Sequence, residues 1–562
     1  MEQLAGCWRR CGQRCAKHPH WIACALLGLF AILAVSGAIH DSVTVDEFMI
    51  VPSGYAKIVR FGHANSLNAF NPPLVQMILA SPITFLDCTL PPGYASDEEP
   101  EFRWRFGRLF MESNRSRYVE AFLLARLACI ILALALAALV YRWSSALFGA
   151  WGGLVSLALF CTCPNSIAHG HLATVDMGFS TLLFASSFYL WKWRCATGQR
   201  RWRPAVMYAL FFVAALLAKF TALLLLPVHA LLALIPLRRS DGEHGGAPSR
   251  SAMALLAAAL IVASVVSINT CYDWDGTGRS LGSFELRSGA LRVFSSGWLS
   301  KLPSPLPEWY LKGIDLETLR IEEGRNVFFF MGHVSAVKTP AYFVAALLMK
   351  TPISTILIVL ATLVYAVRKR KADYLHLLLP AACILALFSL VIGANLGLRY
   401  VLPVFPYLYT LAGIVAVPGN RPKLQHTAVA ALLACSLLSA LLAAPRFLSY
   451  FNLLAGGPQN GRRYLSDSNV DWGQDLNDLK STMARLGIDR VYFSYFGLVD
   501  PALYGVPYIP LDEKHGPGVV AISVHHLNGI APFSRLPGEL VERLRHRQPL
   551  ARAGDSILLF ED

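Results

Sequence analysis

The chain has 562 residues, 55% of them hydrophobic and 15% charged, where a soluble globular domain carries about 25% charged residues. That deficit points away from a soluble enzyme and towards a polytopic membrane protein, whose spans each need roughly 20 mostly apolar residues. The formal net charge is +14, but the basic residues lie in short clusters between apolar runs rather than in one patch. No nucleic-acid surface is expected, and the clusters read as orientation signals in a membrane.

In chain order, residues 1–20 form a basic tail with Arg9, Arg10, Arg14 and Lys17. Cys7, Cys11 and Cys15 are spaced four apart in it, with His18 and His20 nearby. The spacing matches no zinc pattern. Trp21–Ile39 follows as an uncleaved signal anchor, which puts the N-terminus in the cytoplasm. Hydropathy marks about eleven spans: 21–39, 119–141, 146–163, 174–193, 204–219, 221–237, 251–270, 341–367, 374–393, 399–417 and 426–444. Every second connection is basic: Arg142; Lys192 to Arg203; Arg238, Arg239 and Arg250; Arg368-Lys369-Arg370-Lys371; Arg421 and Lys423. These all fall on the N-terminal side if each run crosses once, so the topology is internally consistent.

The expected fold is thus a polytopic all-α membrane domain over 21–445, with long outer loops at 40–118 and 271–340, and a small α/β domain over 446–562 on the outer face. Within the first loop, Pro72 to Leu86 is apolar but short and proline-rich. It reads as a helix on, or dipping into, the membrane surface. In the tail, helices are expected at Asn477–Leu486 and Glu539–Arg547, and strands at Val491–Tyr495, Val519–Val524 and Ile557–Phe560.

The polar clusters converge on the outer side: Asp46-Glu47, Asn71-Pro72-Pro73-Leu74, His169 and His171 ahead of Thr174-Val175-Asp176, Lys219 in Ala-Lys-Phe-Thr, Lys350-Thr351-Pro352 and Arg399-Tyr400. A charge in or beside a span is costly and reads as functional by default. These motifs, in this order, resemble the GT-C-fold glycosyltransferases that use polyprenyl-phosphate sugars. The nearest group is that of the protein O-mannosyltransferases and lipid A aminoarabinose transferases. The stretch from Tyr450-Phe451-Asn452 to Gln474-Asp475 is similar to a tail of bacterial members, which implies a bacterial plasma membrane. Many members have His-Pro-Pro-Leu where this chain has Asn71-Pro72-Pro73-Leu74.

The resemblance implies sugar transfer with inversion, Asp46 acting as base, to an acceptor outside the cytoplasm. The residue types suit that chemistry. A carboxylate can take a proton from an attacking hydroxyl, and cations stabilise the charge on a departing phosphate. Candidate catalytic residues are Asp46, Glu47 and Asp176. Candidate phosphate ligands are Lys219, Arg399 and Lys350, and Asn71, His169, His171 and Tyr400 are candidate supports. The expected partners are a polyprenyl-phosphate-linked sugar, membrane lipid and an acceptor of unassigned type.

Each residue also has a plainer reading: Asp46-Glu47 and Asp176 as helix caps, Lys219 as a snorkelling side chain. A divalent metal on His169 and His171 with a carboxylate is an open alternative. Asp467, Asn469, Asp471, Asp475 and Asp478 have calcium-loop spacing but lack its glycine, and an Asx-turn into a capped helix explains them too. Trp472 among these acids could instead face a sugar. Asn114-Arg115-Ser116 is a glycosylation pattern. A flippase of lipid-linked sugars and a non-catalytic scaffold are the rival functions.

Overall fold

The computed structural model describes residues 19–60, 65–91, 101–235, 248–324, 327–417, 423–512, 515–530, 536 and 538–562. The cysteines and basic residues of the N-terminal tail, and Arg238, Arg239 and Arg421, lie outside them.

Helices fill each expected apolar range. Among the described residues, five are long and apolar enough to cross a membrane: Pro19–His40, Tyr118–Cys161, Arg250–Cys271, Ala372–Ile392 and His426–Ala443. The other apolar helices are shorter or interrupted. The first helix packs along Tyr118–Cys161, which also supports Val404–Ala412 and Val175–Cys195.

Three breaks differ from the expected spans. The chain stays helical through Arg142 and breaks at Gly149, where φ is 78°. Only glycine takes that conformation without a Cβ penalty, so backbone chemistry and not charge sets this corner. The expected single span 341–367 is two helices, Tyr342–Lys350 and Ile353–Lys369, because Pro352 cannot donate to the preceding turn. The run 399–417 is broken into Leu398–Val401, Val404–Ala412 and Gly413–Ala416. The apolar stretch of the first loop is the helix Pro73–Ala80 and a tighter turn, Ser81–Phe85, with Phe85 at the exposed tip.

The tail folds close to expectation, with helices Leu476–Leu486 and Gly538–His546. Its sheet has five strands in the order Tyr508–Pro510, Val491–Ser494, Val519–Ser523, Ile557–Glu561, Ala551–Ala553. The first three are parallel and the last two join antiparallel. The sequence reading missed the two edges. Tyr508–Pro510 ends on a proline, which an edge position tolerates, and Ala-Arg-Ala carries no strand signature.

The polypeptide between Phe447 and Asp475 runs back into the helical part. Ser42 N–H donates to the Gln474 carbonyl at 2.8 Å and Val45 N–H to that of Trp472 at 3.0 Å. Val43 N–H donates to the Tyr504 hydroxyl at 2.9 Å.

Candidate active site

The turn from His40 to Thr44 delivers the helix Val45–Val59. Thr44 precedes its first turn and Glu47 reaches back to the Thr44 N–H at 2.9 Å, which fixes where the helix starts. Asp46 and Glu47 then point to different surroundings. Glu47 is fully buried. Arg126 Nε and Nη2 donate to its two oxygens at 2.8 and 2.7 Å, and Ala173 N–H adds another bond at 2.8 Å. Burial opposes its ionisation, but Arg126 and these N–H groups hold the carboxyl below its ordinary range. Arg126 also donates to the carbonyls of Ala38, Asp41 and Ser42. It clamps the turn that carries Asp46. A lone arginine inside the second apolar run was the available sequence signal for it.

Asp46 faces the other way and forms an ion pair with Arg399. Arg399 is 3.6 Å from Asp176, and Asp176 accepts from Lys219 Nζ at 2.6 Å. Two carboxylates and two cations from four distant segments therefore alternate in one cluster. Asp46, Arg399 and Lys219 keep 15, 11 and 17% of their side chains exposed, so the cluster is reachable, whereas Asp176 at 1% lies behind it. Tyr400 lies beneath both cations, its ring 4.9 Å from the Arg399 guanidinium and 5.2 Å from Lys219. Trp472 takes another side of Arg399 at 4.5 Å. Asn71 is fixed through its backbone, its carbonyl accepting from Gln76 Nε2 at 2.7 Å, and Leu74 N–H, three residues on, donates to the Leu217 carbonyl, two residues before Lys219.

Other expected site residues are engaged elsewhere. Lys350 is buried and donates to the carbonyls of Leu448, Tyr450 and Asn469 at 2.8, 3.2 and 2.6 Å. Those three bonds use its whole donor capacity, so it staples the returning chain instead of offering a charge to a ligand. His171 is held between Asp41 and the Ile167 carbonyl, both at 2.9 Å. His169 is buried with its ring edge-on to Trp472, and burial pushes its pKa down to about 3. It is a neutral imidazole, and its Nδ1 has no hydrogen-bond partner among the described residues.

Among the described residues, no three His, Cys, Asp or Glu side chains gather as a metal group. The calcium-loop alternative fails because its carboxylates diverge. Asp471 accepts from Ser523 and from the His525 and Gly473 N–H groups, the last being the expected Asx-turn. Asp475 accepts from the N–H groups of Asp555 and Ser556, and Asp478 pairs with Arg446. Asn114 is buried with both ends of its amide bonded, to Thr89 and Phe110, so it is not presented for glycosylation.

No protein-family model and no curated protein matches the sequence. Among solved structures, the chain is similar to ArnT from Cupriavidus metallidurans bound to undecaprenyl phosphate, at 13% identity and a TM-score of 0.47, over 96% of this chain and 98% of that one. It is also similar to the archaeal oligosaccharyltransferase AglB from Archaeoglobus fulgidus in complex with an inhibitory peptide and a dolichol-phosphate, at 10% identity and a TM-score of 0.46, over 94% of this chain and 72% of that one.

Proposed function

We propose that the protein is an integral membrane glycosyltransferase that moves one sugar from a polyprenyl-phosphate donor to an acceptor on the extracytoplasmic side. The observation that carries this reading is the cluster of Asp46, Arg399, Asp176 and Lys219. It places a reachable carboxylate beside cations suited to a phosphate, with no nucleotide-binding loop in the sequence. In the reaction, Asp46 takes the proton of the acceptor hydroxyl. The oxygen attacks the anomeric carbon, and the bond to the phosphate oxygen breaks with its electron pair leaving on the phosphate. Attack opposite the leaving phosphate inverts the anomeric centre. Lys219 and Arg399 neutralise the charge that appears there, and Asp176 holds both cations in place. Because Arg399 is paired with Asp46 before donor arrives, the donor phosphate competes for the guanidinium and frees the base. Glu47, His171 and Lys350 position the surrounding chain without touching substrate.

The test is turnover by the purified protein given an undecaprenyl-phosphate-linked hexose or pentose. The expected result is release of undecaprenyl phosphate, with Lys219→Gln raising the donor KM. A wild-type protein that moves the lipid between leaflets without breaking the sugar–phosphate bond contradicts the proposal.

A further inference from the structure

The four charges of the cluster cancel in pairs, Asp46 with Arg399 and Asp176 with Lys219. An incoming phosphodiester brings one negative charge, and the departing monoester carries roughly two at neutral pH, as phosphate monoesters do. When Asp46 takes the acceptor proton, Arg399 is left to offset one of these charges, and the second has no counter-ion in the cluster. A further cation, Arg103, stands on the helix packed against that of Asp46: a Cβ at Gly107, one turn further on, would lie 2.6 Å from the Phe48 carbonyl.

Arg103, on the helix Phe102–Ser113, is 94% buried. Its guanidinium lies 3.7 Å from the centre of the Phe70 ring, immediately before the Asn71-Pro72-Pro73 segment, and Arg320 lies 3.9 Å from the same ring. Arg320 has carboxylates at Glu101 and Glu317, at 3.3 and 3.4 Å. Arg103 makes no ion pair among the described residues, and its buried Nε has no hydrogen-bond partner. Burial, with the like charge of Arg320, pushes its pKa down to about 10, while Asp46 is among the carboxylates that oppose the shift. A buried charge without a partner is expensive. Here a cation has been kept, stacked in a fixed orientation, on a helix packed against that of the proposed base.

We infer that Arg103, held on Phe70, is a third phosphate-binding cation, and that it receives the phosphate group of the lipid donor and of the lipid phosphate left after transfer. This rests on the proposed function above. A guanidinium offers a planar fork to two phosphate oxygens, and the flat stack on Phe70 presents that fork without ordering a free side chain.

The experiment measures binding of undecaprenyl phosphate, undecaprenol and inorganic phosphate to the whole protein in nanodiscs, with melting temperature read on the same samples. Arg103→Gln is expected to weaken undecaprenyl phosphate binding by about 10–100-fold, the scale of hydrogen bonds to a charged group, and to leave undecaprenol binding unchanged. Its melting temperature without lipid should hold or rise, because an uncompensated buried charge is gone. Arg103→Lys should recover part of the affinity. Loss of inorganic phosphate binding in parallel would place the effect on the phosphate and not on the lipid chain. If Arg103→Gln melts lower and binds undecaprenyl phosphate as wild type, Arg103 is only a packing residue and the inference is overturned. Retained binding in Arg103→Gln with loss in Lys219→Gln would overturn it while leaving the proposed function intact. Failure of the wild-type protein to bind undecaprenyl phosphate would overturn both.

Discussion

Asp467 has a backbone φ of 54°, in the left-handed region that most side chains avoid. It is half-buried, and its carboxyl accepts from the Ser468 N–H at 2.6 Å. Burial pushes it up to about 6, against the pull of Arg399 and the Ser468 N–H, with Asp46 adding to the rise. In the unfolded chain an aspartate titrates near 3.9. The folded pKa is therefore the higher one, so stability contributed by this group is full below about pH 4 and is lost as pH rises to about 6. Asn tolerates the left-handed position and keeps an acceptor for Ser468. Asp467→Asn should match the wild-type melting temperature near pH 4 and exceed it at pH 7. A difference that does not change with pH would rule out this titration. The types and order of Asp46, Asp176, Lys219 and Arg399 were legible in the sequence because polar residues beside apolar runs stand out. The roles within Asp46-Glu47 were not. Adjacent helical residues point about 100° apart, and only the partner Arg126, far off in sequence, decides which one is consumed.

Among the elements, three buried charged side chains organise the backbone around the cluster. Glu47 and Arg126 join the first helix, the turn after it and the segment at Ala173. Removing one member of such a buried pair costs about 3–5 kcal/mol. Glu47→Ala should lower stability on that scale, measured by denaturation in detergent. A folded, stable and inactive Glu47→Ala would instead return Glu47 to the chemistry. Lys350 ties the break before Pro352 to the returning chain at Leu448, Tyr450 and Asn469. Lys350→Met strands three carbonyls and should lower the melting temperature, while the folded fraction binds lipid phosphate with unchanged affinity. Unaltered stability with lost binding would mean that Lys350 touches the donor. Hydropathy located these helices but not their interruptions. A window average does not register one proline at 352, or one glycine at 149 that turns the chain where the charge at Arg142 does not.

For the whole molecule, the tail is less separate than its change in composition implies. Its sheet is a compact unit, yet residues 447–475 supply Trp472 against Arg399 and main-chain partners for Ser42 and Val45. A Cβ at Gly397 would lie 2.0 Å from Ser468 Oγ, so the returning chain and the segment before Arg399 are in close contact there. Expression of residues 1–445 alone should therefore give no stable protein, whereas an independent accessory domain could be deleted without loss. Strand and helix periodicities made the tail's internal fold readable. Its docking was not, because its partners are main-chain groups and side chains far off in sequence, which no local periodicity registers.

The proposed function has Asp46 removing the acceptor proton within a cluster that holds a lipid phosphate. It is tested most directly by turnover of purified Asp46→Asn with an undecaprenyl-phosphate-linked sugar, alongside binding of undecaprenyl phosphate. Turnover is expected to fall by about 10²–10⁴-fold, the usual weight of a general base, with lipid phosphate still bound. Asp46→Asn turning over at the wild-type rate would contradict it.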